Sequence, residues 1–290
     1  MQNTEVHRKV QKINEQKLPA KDPDEKHTDY IVCSTVRSGS ALLCKTLSQS
    51  GLGQPEEYFH KHRIRQLKLE GRPEAFADYC RALVDGARCG KGAFGMKLHW
   101  WQLQDFLRLA RGLSVYAGLG DREILDRFFP NAKYVYLRRQ DVVAQAVSAA
   151  IAAQTGQWES LQRRPSDTRK TAPTRERTIK FQPWRIYEWE KSLLKQNQDW
   201  VNFFQVNQLD YLEVVYEDLV CSFPETIAEL IGYISGESSL LVNVEMPTRR
   251  QSNTVNRRFI QRYRRFPKSV MAVLYWLYGK LRPQQLGGGA

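Results

Sequence analysis

Apolar residues in this chain fall into short runs separated by stretches of helical periodicity. Tyr30-Ile31-Val32-Cys33, bounded by Ser34-Thr35, predicts a buried strand. Ala41 to Ser48 then has helical character and ends at Gly51, a natural C-terminal cap. A helix is expected over Ala75 to Ala87, a second strand over Ala93 to His99, and helices over about Gln102 to Leu109 and Arg122 to Phe129. Lys133-Tyr134-Val135-Tyr136-Leu137 is the clearest strand, rich in aromatic and β-branched residues. Asp141 suits the N-cap of a helix reaching about Ala153. Trp184 to Phe204 predicts a long helix whose aromatic stripe (Trp184, Tyr187, Trp200, Phe203) packs in the core. Tyr211 to Tyr216 reads as a strand and Glu225 to Ile234 as a helix. Short apolar strands alternating with helices predict an α/β fold: a single domain with a central parallel sheet flanked by helices.

The expected boundaries are a polar tail over residues 1–29, a core domain over 30–267, and a C-terminal helix and tail over 268–290. The longest apolar run, Val270 to Tyr278, is too short to span a membrane. The first 29 residues mix six basic with six acidic side chains and lack the apolar segment of a secretory signal. Five scattered cysteines, odd in number and never in a Cys-x-x-Cys pair, predict reduced thiols in a cytoplasmic protein and no zinc site.

Charge changes this picture most. The chain has 290 residues and a net charge of +13, so its partner is expected to be anionic. The excess is local: from Pro247 onward there are ten Lys/Arg and no acidic residue. Here Phe259, Ile260, Tyr263 and Phe266 recur at helical spacings, which predicts an ordered element that carries guanidinium groups. A second block, Leu161 to Lys180, has seven Lys/Arg against Asp167 and Glu176 and no apolar periodicity, so a mobile basic loop is expected over 159–182.

Three segments carry candidate chemistry. Thr35-Val36-Arg37-Ser38-Gly39-Ser40-Ala41 lies between a strand and a helix, where backbone amides and the helix dipole favour an anion and Arg37 can clamp it. It is not a Walker A loop. Leu137-Arg138-Arg139-Gln140-Asp141-Val142-Val143 puts arginines at the C-terminal end of a strand, and the next helix brings Ser148 back to the same edge. Gly53-Gln54-Pro55-Glu56-Glu57-Tyr58-Phe59 offers carboxylates beside that cradle, one of which can take a proton from a hydroxyl. Each alone also reads as an ordinary turn, a solvent-facing Arg pair, or a pair of solvated carboxylates.

Together, and in this order, the three segments resemble sulfotransferases that use 3′-phosphoadenosine 5′-phosphosulfate (PAPS), and more closely the bacterial trehalose 2-sulfotransferase family. The resemblance spans about residues 30–265 and includes Gly95-Met96-Lys97-Leu98-His99-Trp100, Gln154-Thr155 to Trp158, and Arg250-Gln251 to Arg262-Tyr263-Arg264. It implies a P-loop-like sulfotransferase fold and no metal. It implies that Arg37, Ser38, Gly39 and Ser40 bind the 5′-phosphosulfate, Arg37 also acting in catalysis. Arg139 and Ser148 would hold the 3′-phosphate, with Arg250 or Arg257 closing over it. Glu57 would be the general base, with Gln54, Tyr58, Lys97, His99 and Trp100 facing a sugar or glycolipid acceptor. Ala41 departs from the pattern, standing where the family usually has a hydroxyl residue. Two other readings stand beside this one: a basic nucleic-acid-binding protein, which lacks a binding motif, and a non-catalytic protein held at a membrane surface through the C-terminal helix. Against the membrane reading stands a C-terminal helix docked on the core, and a homodimer is a further expected partner.

Overall fold

The computed structural model describes residues 28–87, 93–158, 179–236 and 254–281. Four strands form one parallel sheet: β1 (Thr28–Ser34), β2 (Ala93–His99), β3 (Lys133–Arg138) and β4 (Tyr211–Val215), in the order β2-β1-β3-β4. β1 starts at Thr28, ahead of its apolar run, so the expected tail gives up its last two residues to the sheet. The helices are α1 (Ser40–Gln49), α2 (Lys61–Gln66), α3 (Pro73–Ala87), α4 (Trp100–Ala110), α5 (Asp121–Phe128) and α6 (Val142–Thr155). They continue with α7 (Pro183–Val206), α8 (Tyr216–Cys221), α9 (Phe223–Ser235), α10 (Thr254–Arg264) and α11 (Lys268–Leu281).

Side-chain alternation along the strands sends residues to two separate cores. Ile31, Phe94, Met96 and Tyr136 face Phe76, Phe106, Trp200 and Phe204 on one side of the sheet. Tyr30, Val32, Val135 and Leu137 face Leu43, Leu47, Ile227 and Leu230 on the other. The strands are therefore apolar on both faces, and covering helices follow. Tyr30 lies across Gly95, where a Cβ would come within 2.3 Å of its ring. A third cluster joins α6 and α7 to Phe259, Tyr263 and Met271 of α10 and α11.

Register brings the chemistry to one edge. Ser34 pairs with both His99 and Leu137, so β1, β2 and β3 end level and their following loops share one rim. The basic loop expected over 159–182 falls outside the described residues except for its end. There Phe181 packs on Phe259 with ring centroids 5.2 Å apart, and Arg262 lies over its ring.

Candidate active site

The loop after β1 is held open around a cradle. Arg37 takes φ 61 and Gly39 φ 97, both left-handed, so the chain curls before α1 begins. Gly39 has no substitute here, because a Cβ would lie 2.3 Å from the Tyr216 ring. Gln145, wholly buried on α6, anchors the loop by donating to Thr35 Oγ1 (2.8 Å) and the Val36 carbonyl (2.7 Å). Ser38 is fully buried at the mouth of α1, yet its hydroxyl has no hydrogen-bond partner. A buried polar atom without a partner is costly, and at a helix N-terminus beside arginines it suits an anionic oxygen.

Arg37 Nε donates to Ser148 Oγ at 2.9 Å, and Arg37 Nη1 donates to the Trp158 carbonyl. Burial first, and then the neighbouring Arg139, pull the Arg37 guanidinium below its usual pKa. Two guanidiniums this close favour an anion between them. Arg139 lies over the Tyr216 ring, 4.9 Å from its centroid; its buried Nε makes no hydrogen bond but is ion-paired with Glu217 Oε1 at 3.7 Å. Glu217 meanwhile accepts from the backbone N–H groups of Gln140 (2.9 Å) and Asp141 (3.2 Å), fixing the turn that presents Arg139. Asp141 caps α6 as expected, accepting from Ala144 N at 3.0 Å, and its other oxygen accepts from Arg264 of α10 at 2.7 Å.

The carboxylate lies at the neighbouring strand end. The Gln54–Glu57 segment runs beside β2, joined by a bridge between Glu56 and Met96 and by Lys97 N donating to the Glu56 carbonyl at 2.9 Å. Glu57 Oε1 is 2.7 Å from Lys97 Nζ and 3.6 Å from His99 Nε2, while Oε2 accepts from Gln102 Nε2 at 2.6 Å. Burial opposes ionisation of Glu57, but His99 and Lys97 outweigh it and hold the carboxyl well below the usual carboxylate range. Gln102 is wholly buried, and its Oε1 accepts from His99 N at 2.8 Å, so one side chain fixes both the strand end and the carboxylate. His99 Nδ1 meets Ser34 Oγ at 3.1 Å, and Ser34 leads directly into the cradle. The carboxylate is thus linked through His99 to Ser34, the last residue of β1 before the cradle loop.

Arg37, Ser38, Ser40, Arg139 and Ser148 sit in or beside the cradle, and Lys97 and His99 converge on Glu57. Two residues expected to face the acceptor have contacts with the core. Trp100 packs edge-on against Trp200 (5.1 Å) and Phe203 (6.0 Å), and Tyr58 is buried against Phe94 with its hydroxyl on the Gln54 carbonyl. Gln54 is exposed and Arg257 is exposed on α10, while Arg250 lies outside the described residues. Gln102, Ser34, Gln145 and Glu217 carry site geometry to which the sequence reading gave no role. Gln102 alone left a signal, a Gln three residues after the residue that ends a strand and caps a helix. Among the described residues no group of His, Cys, Asp and Glu is placed to hold a metal ion.

The "Trehalose 2-sulfotransferase" of Mycolicibacterium smegmatis is 25% identical over 267 residues, covering 82% of this chain and 95% of that protein. The protein of the same name from Mycobacterium tuberculosis is 25% identical over 264 residues, covering 81% and 94%. The family model described as Stf0 sulphotransferase matches residues 29–266, from the first residues of β1 to the end of α10, and the chain belongs to that family.

Proposed function

We propose that the chain transfers a sulfuryl group from PAPS to a hydroxyl of a carbohydrate or glycolipid, with Glu57 as general base. The observation that carries this reading is an ionised, three-partnered carboxylate at the end of β2, next to an arginine-lined cradle at the ends of β1 and β3. The donor fits the residues present: Ser38 Oγ and Arg139 Nε are buried without hydrogen bonds, and oxyanions satisfy both. Bound there, PAPS supplies the sulfuryl group: an O–S bond forms to the acceptor while the S–O bond to the 5′-phosphate breaks and that phosphate keeps the electron pair.

The chain's own work is positioning and electrostatics. Arg37, Ser38, Ser40 and the amides at the start of α1 hold the 5′ end, and Arg37 meets the charge that develops on the leaving phosphate. Arg139 and Ser148 hold the 3′-phosphate, with Arg250 or Arg257 closing over it. Glu57 takes the acceptor proton onto a carboxylate oxygen. Gln102 keeps that carboxylate in place, and Lys97 and His99 keep it ionised before the proton arrives. A sugar is favoured as acceptor because both relatives are named for trehalose.

A transfer assay with 35S-labelled PAPS against carbohydrate and glycolipid fractions tests the reading. Label moving to a hydroxyl-bearing sugar or glycolipid is the expected result, and no labelled product in any fraction refutes it. A finer test concerns pH. Lys97→Met removes the closest charge from Glu57, so its pKa rises and the acid limb of kcat/KM moves up by about one pH unit or more. The stability sign agrees: ionised Glu57 stabilises the fold above about pH 4.3, and this contribution fades as pH falls toward its depressed folded value. An acid limb left in place by Lys97→Met would show that another group governs it.

A further inference from the structure

α11 is anchored to the body through one narrow side. Met271 is fully buried, the Tyr275 ring meets Tyr187 at 5.8 Å with Lys191 above it, and Lys268 is held by Glu190 of α7. A docked helix of a soluble protein turns polar residues to water on the opposite side. This one does the reverse. Val270, Val273, Leu274 and Leu277 follow the i, i+3, i+4, i+7 stripe, exposed by 43%, 56%, 36% and 44%, and Trp276 beside them is 56% exposed. The preceding helix is cationic: Arg257, Arg258, Arg262 and Arg264 lie on α10, and Arg265 follows. The described segment 254–281 contains no acidic residue.

An exposed apolar stripe with Trp at its border and a cationic neighbour has the composition of an element that lies in a membrane interface. Crossing is excluded by length, since 14 residues of helix extend about 21 Å against a hydrocarbon core of about 30 Å. Charge speaks against a second copy of this chain as the covering partner. A two-fold contact across the stripe would bring two acid-free cationic helix pairs together, and like charges across an interface cost several kcal/mol. Area speaks against it too, because five half-exposed side chains offer less than the ~800 Å² each partner brings to a standard interface.

We propose that α10 and α11 form a docking face for an anionic lipid bilayer, with the Val270–Leu277 stripe in the acyl boundary and the exposed Arg258 and Arg265 on headgroup phosphates. Arg264 is bound to Asp141, so this face is joined directly to the turn that carries Arg139. The proposal does not depend on the sulfuryl-transfer reading, because binding alone reports it.

Flotation of the full chain with vesicles of equimolar phosphatidylglycerol and phosphatidylcholine, and with phosphatidylcholine alone, provides the test. At about 0.15 M salt, anionic vesicles should retain tenfold more protein or better. Val273→Glu/Leu277→Glu should lower that retention at least tenfold with an unchanged melting temperature, since both side chains point away from the core. Arg258→Ser/Arg265→Ser, which leaves the stripe intact, should lower it about fivefold for each charge removed. Equal retention by the two vesicle types, or retention untouched by either double variant, overturns the proposal. A dimer in analytical ultracentrifugation that Val273→Glu/Leu277→Glu converts to monomer overturns it in favour of a second copy.

Discussion

Glu57→Gln should lower kcat by about 10³-fold, within the 10²–10⁴ range that a positioned general base supplies, while leaving affinity for 3′-phosphoadenosine 5′-phosphate within about twofold of wild type. The amide is nearly isosteric but cannot accept the acceptor proton, so the loss falls on kcat. The surroundings sharpen the effect. Oε1 faces the Lys97 ammonium and Oε2 faces the Gln102 amide N–H, so both oxygens accept from donors. An amide at position 57 must turn its own N–H toward one of them, and Gln102 cannot reverse without losing its bond from His99 N. That donor-to-donor contact should cost about 1–3 kcal/mol of stability. A calorimetric melt run beside the rate measurement separates this loss from the catalytic one. Near-normal turnover in a well-folded Glu57→Gln would remove Glu57 from the role of base.

Glu57 also shows where sequence reasoning reaches and where it stops. The carboxylate drew attention in the sequence because Gly53-x-Pro55-x-Glu57-x-Phe59 resembles a family segment, in the right order along the chain. The strands were legible because residues buried on both faces leave short apolar runs, as in Ala93 to Met96 and Tyr134 to Leu137. Strand order was not, since nothing local in β1 says that it lies between β2 and β3. The same limit hid most of the site. Gln102 reaches Glu57 across 45 residues, Gln145 reaches Thr35 across 110, and Glu217 reaches the backbone of Gln140 across 77. Each contact depends on the level strand ends, which follow from register alone.

The packing of Trp100 and Tyr58 was hidden for a related reason. Trp100 and Tyr58 adjoin functional residues in sequence, but Trp100 opens α4 and Tyr58 turns inward from the segment beside β2, so both meet the core. Neighbourhood along the chain places backbone well and side chains poorly. Lys97 and His99 meet Glu57 because the strand period puts both on one face, and β2 ends where that face meets the carboxylate.

Arg37→Gly should weaken binding of 3′-phosphoadenosine 5′-phosphate by about 10²–10⁴-fold, since each charge-assisted hydrogen bond to phosphate is worth about 1.5–3 kcal/mol and the arginine can make two. Glycine is the informative replacement. Arg37 takes φ 61, a left-handed conformation that costs a residue with a Cβ roughly 1 kcal/mol and costs glycine little. The backbone of the cradle therefore survives the change, and relief at φ offsets the extra freedom of the unfolded chain. Ser148 loses the donor at 2.9 Å, but its hydroxyl lies beside the site and can turn to water. Stability should accordingly stay within about 1 kcal/mol of wild type while affinity collapses. Titration calorimetry at fixed ionic strength, paired with a thermal melt, reads both quantities on one sample. Affinity preserved in a stable Arg37→Gly would mean that the loop after β1 does not hold the donor, and the transfer reading would fall with it.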